Sequence, residues 1–266
     1  MGKSARKMAP NASAAQRPAA RLYRAAAIAA GETTLDAAAA HYLRDVLRLV
    51  PGQIVALFNA QDGEFAAHIA SYDKKAAHLV VEERLRAPET YEADIWLVFA
   101  PIKRAHLEYQ VQKATELGVR VLWPVRTQRT NVERVNEARL AAIAIEAAEQ
   151  SERLSVPEVR TTASLAAALA HWPNDRQILL CDETGGGQAL GKFLAGQDLA
   201  KPWAILIGPE GGFAPEELAL LRKQSFVRPV DLGPRVLRAD TAALAALAVF
   251  QAFAPDADRR PNFQAT

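Results

Sequence analysis

The sequence predicts an α/β protein whose larger part is a parallel sheet covered by helices on both faces, preceded by a smaller β-rich domain. Three observations carry this expectation. From residue 95 onward, short apolar runs alternate with helix-length stretches, the pattern of parallel strands joined by crossover helices. Before residue 88, three β-leaning runs follow one another with turn-forming segments between them. The rhythm changes at "RAPETYEAD", a polar stretch containing Pro88. A chain of 266 residues has room for two domains, since one commonly takes about 100 to 200 residues.

The first 24 residues hold six Lys or Arg and no acid, leaving 26 basic against 30 acidic groups in the rest. Rich in Ala, Ser, Arg and Pro and without apolar periodicity, residues 1–20 read as a disordered basic tail. The first folded domain is expected over 21–88. An Ala-rich helix at about 37 to 48 stops before Pro51 and Gly52, and "QIVALF" (53–58), "EFAAHIA" (64–70) and "HLVVE" (78–82) follow as strands, with "NAQDG" and "SYDKKA" supplying turn chemistry. In the second domain, over 89–266, strands are expected at 95–100, 121–125, 177–181, 203–208 and 227–233. Helices are expected at about 104–117, 134–151, 215–224 and 241–253.

Composition narrows the function classes. Half the residues are hydrophobic and 23% are charged, a globular balance. No apolar stretch approaches the roughly 20 residues needed to span a bilayer, so no membrane partner is expected. The single cysteine, Cys181, lies in "ILLCDE" and reads as a buried strand residue, in keeping with a reducing cytoplasm. Five histidines are scattered without metal-ligand spacing, so no metal is expected.

In a parallel sheet, ligands bind beyond the carboxyl ends of the strands, which directs attention to the loops after Cys181, Ile207 and Leu232. In "ILIGPEGGFAPEEL" (205–218), Gly208 and Pro209 turn the chain and Gly211 and Gly212 present bare backbone. Pro215, Glu216 and Glu217 suit a first helical turn. The segment reads either as a tight strand-to-helix turn or as a ligand site. Neither G-x-G-x-x-G nor G-x-x-x-x-G-K-[ST] occurs, and Glu210 opposes an anion, so a cationic or neutral ligand suits this loop better than a phosphate. "LGPRVLRADTAAL" (232–244) repeats the strand-Gly-Pro arrangement and opens a long helix, with Asp240 or Thr241 placed to cap it. Arg235 and Arg238 read either as an RNA-facing pair or as solvated surface. Leu107, Val111, Ala114 and Leu117 share one helix face, whose polar neighbours read as solvent dressing.

"LRDVLRLVPGQ", "QKATELGV", "QRTNV", "EQSERLSVPEV", "LIGPEGGF" and "LGPRVLRADTAAL", in this order, resemble the bacterial ribosomal RNA small subunit methyltransferase E family over roughly residues 21 to 254. The resemblance implies a SPOUT methyltransferase domain with a C-terminal deep trefoil knot, preceded by a PUA-like β-barrel that binds RNA. It implies a cytoplasmic homodimer that uses S-adenosylmethionine to methylate the imide N3 of a uridine in 16S ribosomal RNA, free or within the small subunit. A non-catalytic RNA-binding assembly factor is the alternative, and the missing glycine fingerprint disfavours a nicotinamide oxidoreductase.

Carried over by position, the cofactor contacts are Leu180, then Ile207, Gly208, Glu210, Gly211 and Gly212. The last loop adds Leu232, Gly233, Val236, Leu237 and Thr241. Arg235 or Arg238 is expected to stabilise charge on the uracil oxygens, with Glu210 or Asp240 as the base. Arg21, Arg24, Arg44, Arg48, Arg129 and Arg153 are expected to meet RNA. The chain departs from the family's frequent Arg-Thr-Glu-Thr: Arg238 is followed by Ala239, Asp240 and Thr241, which removes a hydroxyl and shortens a carboxylate.

Overall fold

A computed structural model describes residues 17–89, 92–182 and 184–255. Most of the expected basic tail, residues 1–16, lies outside the described residues. The chain divides into two compact units, Met1–Ala87 and Pro88–Thr266.

The first unit is a five-stranded sheet of β1 (Arg21–Tyr23), β2 (Gly31–Leu35), β3 (Ile54–Asn59), β4 (Gly63–Tyr72) and β5 (Ala77–Arg86), in the order β1-β3-β4-β5-β2. The three strands expected from sequence are present: β3 is shifted by one residue, and β4 and β5 are longer than expected. β1 and β2 were not anticipated, because "RLY" is short and "GETTL" is polar. The "NAQDG" turn works as its residues dictate: Asn59 Oδ1 accepts the Asp62 amide at 2.7 Å, an Asx-type turn that reverses the chain. The expected helix at 37–48 is shorter and changes pitch. α1 (Ala37–His41) runs on as a single π-turn, Tyr42–Val46, before Arg48 adopts φ 58°. The wider turn leaves Leu43 fully buried against Val55, Leu57, Ile69 and Leu79.

The second unit is an eight-stranded sheet. Its strands are β6 (Ile95–Phe99), β7 (Val121–Arg126), β8 (Glu158–Val159), β9 (Ala163–Ser164), β10 (Gln177–Cys181), β11 (Gln188–Ala189), β12 (Trp203–Ile207) and β13 (Val227–Asp231). The order is β11-β13-β10-β12-β6-β7-β8, with β9 also on β7, and every pairing in it is parallel. Side chains alternate across this sheet as pleating requires. Ile95, Leu97 and Phe99 of β6 enter one core with α2 (Arg104–Glu116), α3 (Glu137–Gln150), α5 (Leu190–Leu194) and α7 (Ala239–Phe253). Trp96 and Val98 enter the other with α4 (Leu165–Ala170) and α6 (Pro215–Arg222). Both faces are therefore covered, which is why the central strands read as unbroken apolar runs.

Two tertiary features position the loops. Helices α2 and α7 run side by side in the same direction, joined near their starts by His106 Nδ1 to Asp240 Oδ2 at 2.8 Å and near their ends by Gln251 Nε2 to Leu117 O at 2.8 Å. The other feature is a crossing: β13 lies between β10 and β11, so the connection 182–187 must pass over it. Gly187 lies so close to β13 that a Cβ would stand 2.4 Å from the Val230 nitrogen. No side chain fits there.

Candidate active site

The register brings the loops together. Cys181 is level with both Ile207 and Val230, and Ile207 with Phe99. Parallel strands that end level deliver the connections 182–187, 208–214 and 232–238 to one rim. Leu180 and Ile207 are buried beneath that rim, whereas Glu210, Gly233, Arg235, Val236, Arg238 and Thr241 are exposed on it. Val236 is 87% exposed, an unusual position for an apolar side chain.

The 208–214 bend is built from its glycines. A Cβ on Gly208 would lie 2.9 Å from the Phe213 ring, so the aromatic side chain folds back onto the bend. Gly212 takes φ 67° and donates to Pro209 O at 2.9 Å, closing a turn that an L side chain would strain. Arg129 Nη1 holds the Gly211 carbonyl at 2.9 Å. Glu217, only 7% exposed, accepts from the Ala214 amide at 3.0 Å and from the Gln128 amide at 2.8 Å. Its expected capping role is thus joined by a second one, tying the loop after β7 to the start of α6.

Carboxylates border the three bends: Asp182 and Glu210 lie within two of them, and Asp231 ends β13 just before the third. Asp182 binds Arg222 at 3.2 Å, and Asp231 accepts the Gly233 amide at 2.7 Å. Paired with Arg222 and only 2% exposed, the Asp182 side chain is withdrawn, which leaves Glu210 exposed on the rim, a charge that favours a cation. Cys181 is no nucleophile, because burial, helped by Asp182, pushes its thiol up to about 12.

The third bend corrects the expected cap. α7 begins at Ala239 with Arg238 as its N-cap, so Asp240 and Thr241 lie inside the first turn. There Asp240 is well used: Oδ2 meets His106 Nδ1, and Oδ1 accepts the Thr241 amide at 2.8 Å. Burial works to raise its pKa, but the His106 hydrogen bond, the Thr241 amide and the nearby charges of His106 and Arg238 outweigh it and hold the carboxyl below its usual value. With both oxygens engaged and its basicity lowered, Asp240 is poorly suited to accept a substrate proton. His106, 134 positions away, was not foreseen; a lone histidine on a helix carries no signal that it faces an acid.

The arginines expected to meet RNA fall into different places. Arg21 is spent on Glu64 at 2.9 Å and on the face of Phe58, 4.1 Å from its centroid. Arg153 donates to Thr115 O at 2.6 Å, Val119 O at 3.1 Å, Ser155 and Glu92, at the amino ends of the strands. Their side chains are only 13% and 10% exposed and are held by their own chain, which leaves little of either to offer an RNA. Arg24 donates to Thr34 O at 3.2 Å. Arg44 pairs with Asp45, whose pKa is lowered to about 2 by that bond and by the one to His41. Arg48 and Arg129 remain exposed.

Among the described residues, no group of three or more His, Cys, Asp or Glu is placed to hold a metal ion, and no helix is long and apolar enough to cross a membrane.

Comparison with known proteins gives first the class. A family profile described as an RNA methyltransferase domain matches residues 89–251, and one described as an RNA methyltransferase PUA domain matches residues 35–82. The ribosomal RNA small subunit methyltransferase E of Rickettsia conorii is 34% identical over 78% of this chain and 84% of its own length. That of Synechocystis is 31% identical over 82% and 72%. Among solved structures, a Legionella pneumophila methyltransferase in complex with the cofactor SAM is 30% identical, with a TM-score of 0.76 over 87% of this chain and 96% of that one. A Neisseria gonorrhoeae ribosomal RNA small subunit methyltransferase E bound to S-adenosyl methionine is 26% identical, with a TM-score of 0.78 over 88% and 98%. The chain belongs to the ribosomal RNA small subunit methyltransferase E family, within the SPOUT methyltransferases.

Proposed function

We propose that this protein methylates the imide N3 of a uridine in 16S ribosomal RNA with S-adenosylmethionine as donor. The observation that carries the reading is the single rim to which three glycine-bearing bends are delivered, with Glu210 exposed on it and no phosphate-binding fingerprint. The residues fit such a ligand. Where a Cβ of Gly233 would stand there is open space, leaving bare peptide groups within reach of an adenine or a ribose. Leu180 and Ile207, buried on opposite faces of the sheet, anchor the strand ends behind the rim, and exposed Glu210 suits a sulfonium. When bound, S-adenosylmethionine supplies an electrophilic methyl group on a positively charged sulfur.

The chain's own residues then have to seat the uracil, take its imide proton and quiet the charge left on its oxygens. Arg238, the exposed N-cap of α7, and Arg235 beside it donate to those oxygens, a preorganised electrostatic contribution. His106 accepts the proton at Nε2, while Asp240 orients the ring through Nδ1 as a positioning residue. Glu210 stays on the ligand side of the rim as a charge partner. The target base must leave its stack to reach the site, and Arg24, Arg44, Arg48 and Arg129 hold flanking backbone. The crossing of 182–187 over β13 supports the deep trefoil knot as part of this reading. Tyr109 on α2 and Phe253 on α7, 50% and 43% exposed, offer aromatic surface to a homodimer contact.

Incubation of the protein with isotopically labelled S-adenosylmethionine and unmodified small subunits, followed by mass-spectrometric mapping of the RNA, tests the assignment. The expected product is one 3-methyluridine in 16S RNA. Label on another base, or none, overturns it.

A further inference from the structure

A pocket of about 430 Å3 opens beside the 208–214 bend, between that bend, α6 and the loop after β10. Its floor is apolar: Phe213 and Leu218 are 2% and 8% exposed, and Ala219 is exposed on α6 at its edge. Its rim is cationic, with Arg129 and Arg222 and the hydroxyl of Thr184. Neither arginine is loose. Arg129 is held by the Gly211 carbonyl, and Arg222 donates to Thr184 Oγ1 at 2.8 Å and to Asp182 at 3.2 Å. The acids that fix this wall are withdrawn from solvent, the Asp182 side chain 2% exposed and Glu217 7%, so the pocket presents guanidinium groups outward over an apolar seat.

That combination matches one chemistry. An apolar floor beneath fixed guanidinium donors accepts a nucleobase by apolar contact and its phosphate by charge, and the volume falls in the range of small-ligand sites. Resting on the reading of the chain as an RNA methyltransferase, we infer that this pocket holds a second, unmodified nucleotide of the substrate RNA, its base on Phe213 and Leu218 and its phosphate at Arg129 and Arg222. Because Phe213 packs on Gly208 and Arg129 holds Gly211, the seat shares its wall with the methyl-donor loop. Occupation of the pocket thus reports that RNA is in place to the bend that carries the donor.

Two variants test this in the full-length protein. Ala219→Trp fills the seat without touching any of the hydrogen bonds above, and Arg222→Gln removes a rim charge. Filter binding of unmodified 16S RNA, across a salt series, is read beside calorimetric titration of S-adenosylmethionine. The expected result is RNA binding at least five-fold weaker in both variants, with donor affinity unchanged in Ala219→Trp. In Arg222→Gln, the slope of log affinity against log salt should also fall by about one. An Ala219→Trp protein that binds RNA like the wild type overturns the proposal whatever Arg222→Gln does, and so does one that loses the donor instead. Failure of the wild type to methylate subunits would defeat the functional reading alone, since the pocket is read through binding.

Discussion

The two ends of the parallel sheet use the same side chains for opposite purposes. At the amino ends of the strands, Arg176 is 5% exposed. It donates to the carbonyls of Trp203 and Asp94 at 2.8 and 3.1 Å and to the Asp94 carboxylate at 2.7 Å, and lies 3.7 Å above Trp96. Arg153 is fixed in the same manner nearby. At the carboxyl ends, Arg235 and Arg238 are exposed beside three bends bearing bare backbone and carboxylates. One rim binds its own chain; the other is left to bind something else. What separates them is the direction of the strands, which no single arginine reveals.

The largest effect is expected at the closed rim. Arg176→Ala takes a buried guanidinium from two carbonyls and from the partly buried Asp94 carboxylate, which keeps only Arg120 at 4.0 Å; the loss is expected at about 3 kcal/mol, the lower end of the cost of breaking a buried ion pair. Denaturant unfolding should show that loss, while the protein that remains folded keeps its affinity for the methyl donor. A loss of catalysis without a loss of stability would reverse the division between the rims.

Arg238→Ala should behave oppositely: unchanged unfolding, but single-turnover methylation slower by about 100-fold, the scale of a lost oxyanion donor. Weaker RNA binding with wild-type chemistry would remove Arg238 from charge stabilisation and leave it as a docking group.

A smaller and more diagnostic effect is expected at His106. Asp240 has a lowered pKa, so its contribution is present above the ordinary carboxylate range and lost only as pH falls through its folded value. Across the neutral range it stays ionised and holds the imidazole through Nδ1. His106→Gln, which keeps a hydrogen bond to Asp240, should be roughly 10-fold slower in single-turnover methylation with unchanged unfolding. A wild-type rate would restrict His106 to holding α2 against α7.

Much of the larger unit was legible because its strands are continuous apolar runs bounded by polar residues: 177–181 is bounded as expected, and the helices at 104–117 and 215–224 each end within two residues of the expected positions. The missed elements were those with little pattern to show, the two-residue strands β8, β9 and β11 and the five- and six-residue helices α5 and α4. Of the site, the glycine bends and the objection to phosphate came from local chemistry. The His106–Asp240 pair, the Asp182–Arg222–Thr184 network and the burial of Arg153 depend on contacts 134, about 40 and up to 61 positions apart, which periodicity does not carry.

Hydrogen exchange of the full chain with and without S-adenosylmethionine compares both rims at once. Slower exchange is expected in 182–187, 208–214 and 232–238 on addition of the donor, with 92–94, 119–121, 153–155 and 176–177 unchanged. Protection appearing only at the amino ends of the strands, or nowhere, would contradict the assignment of the open rim.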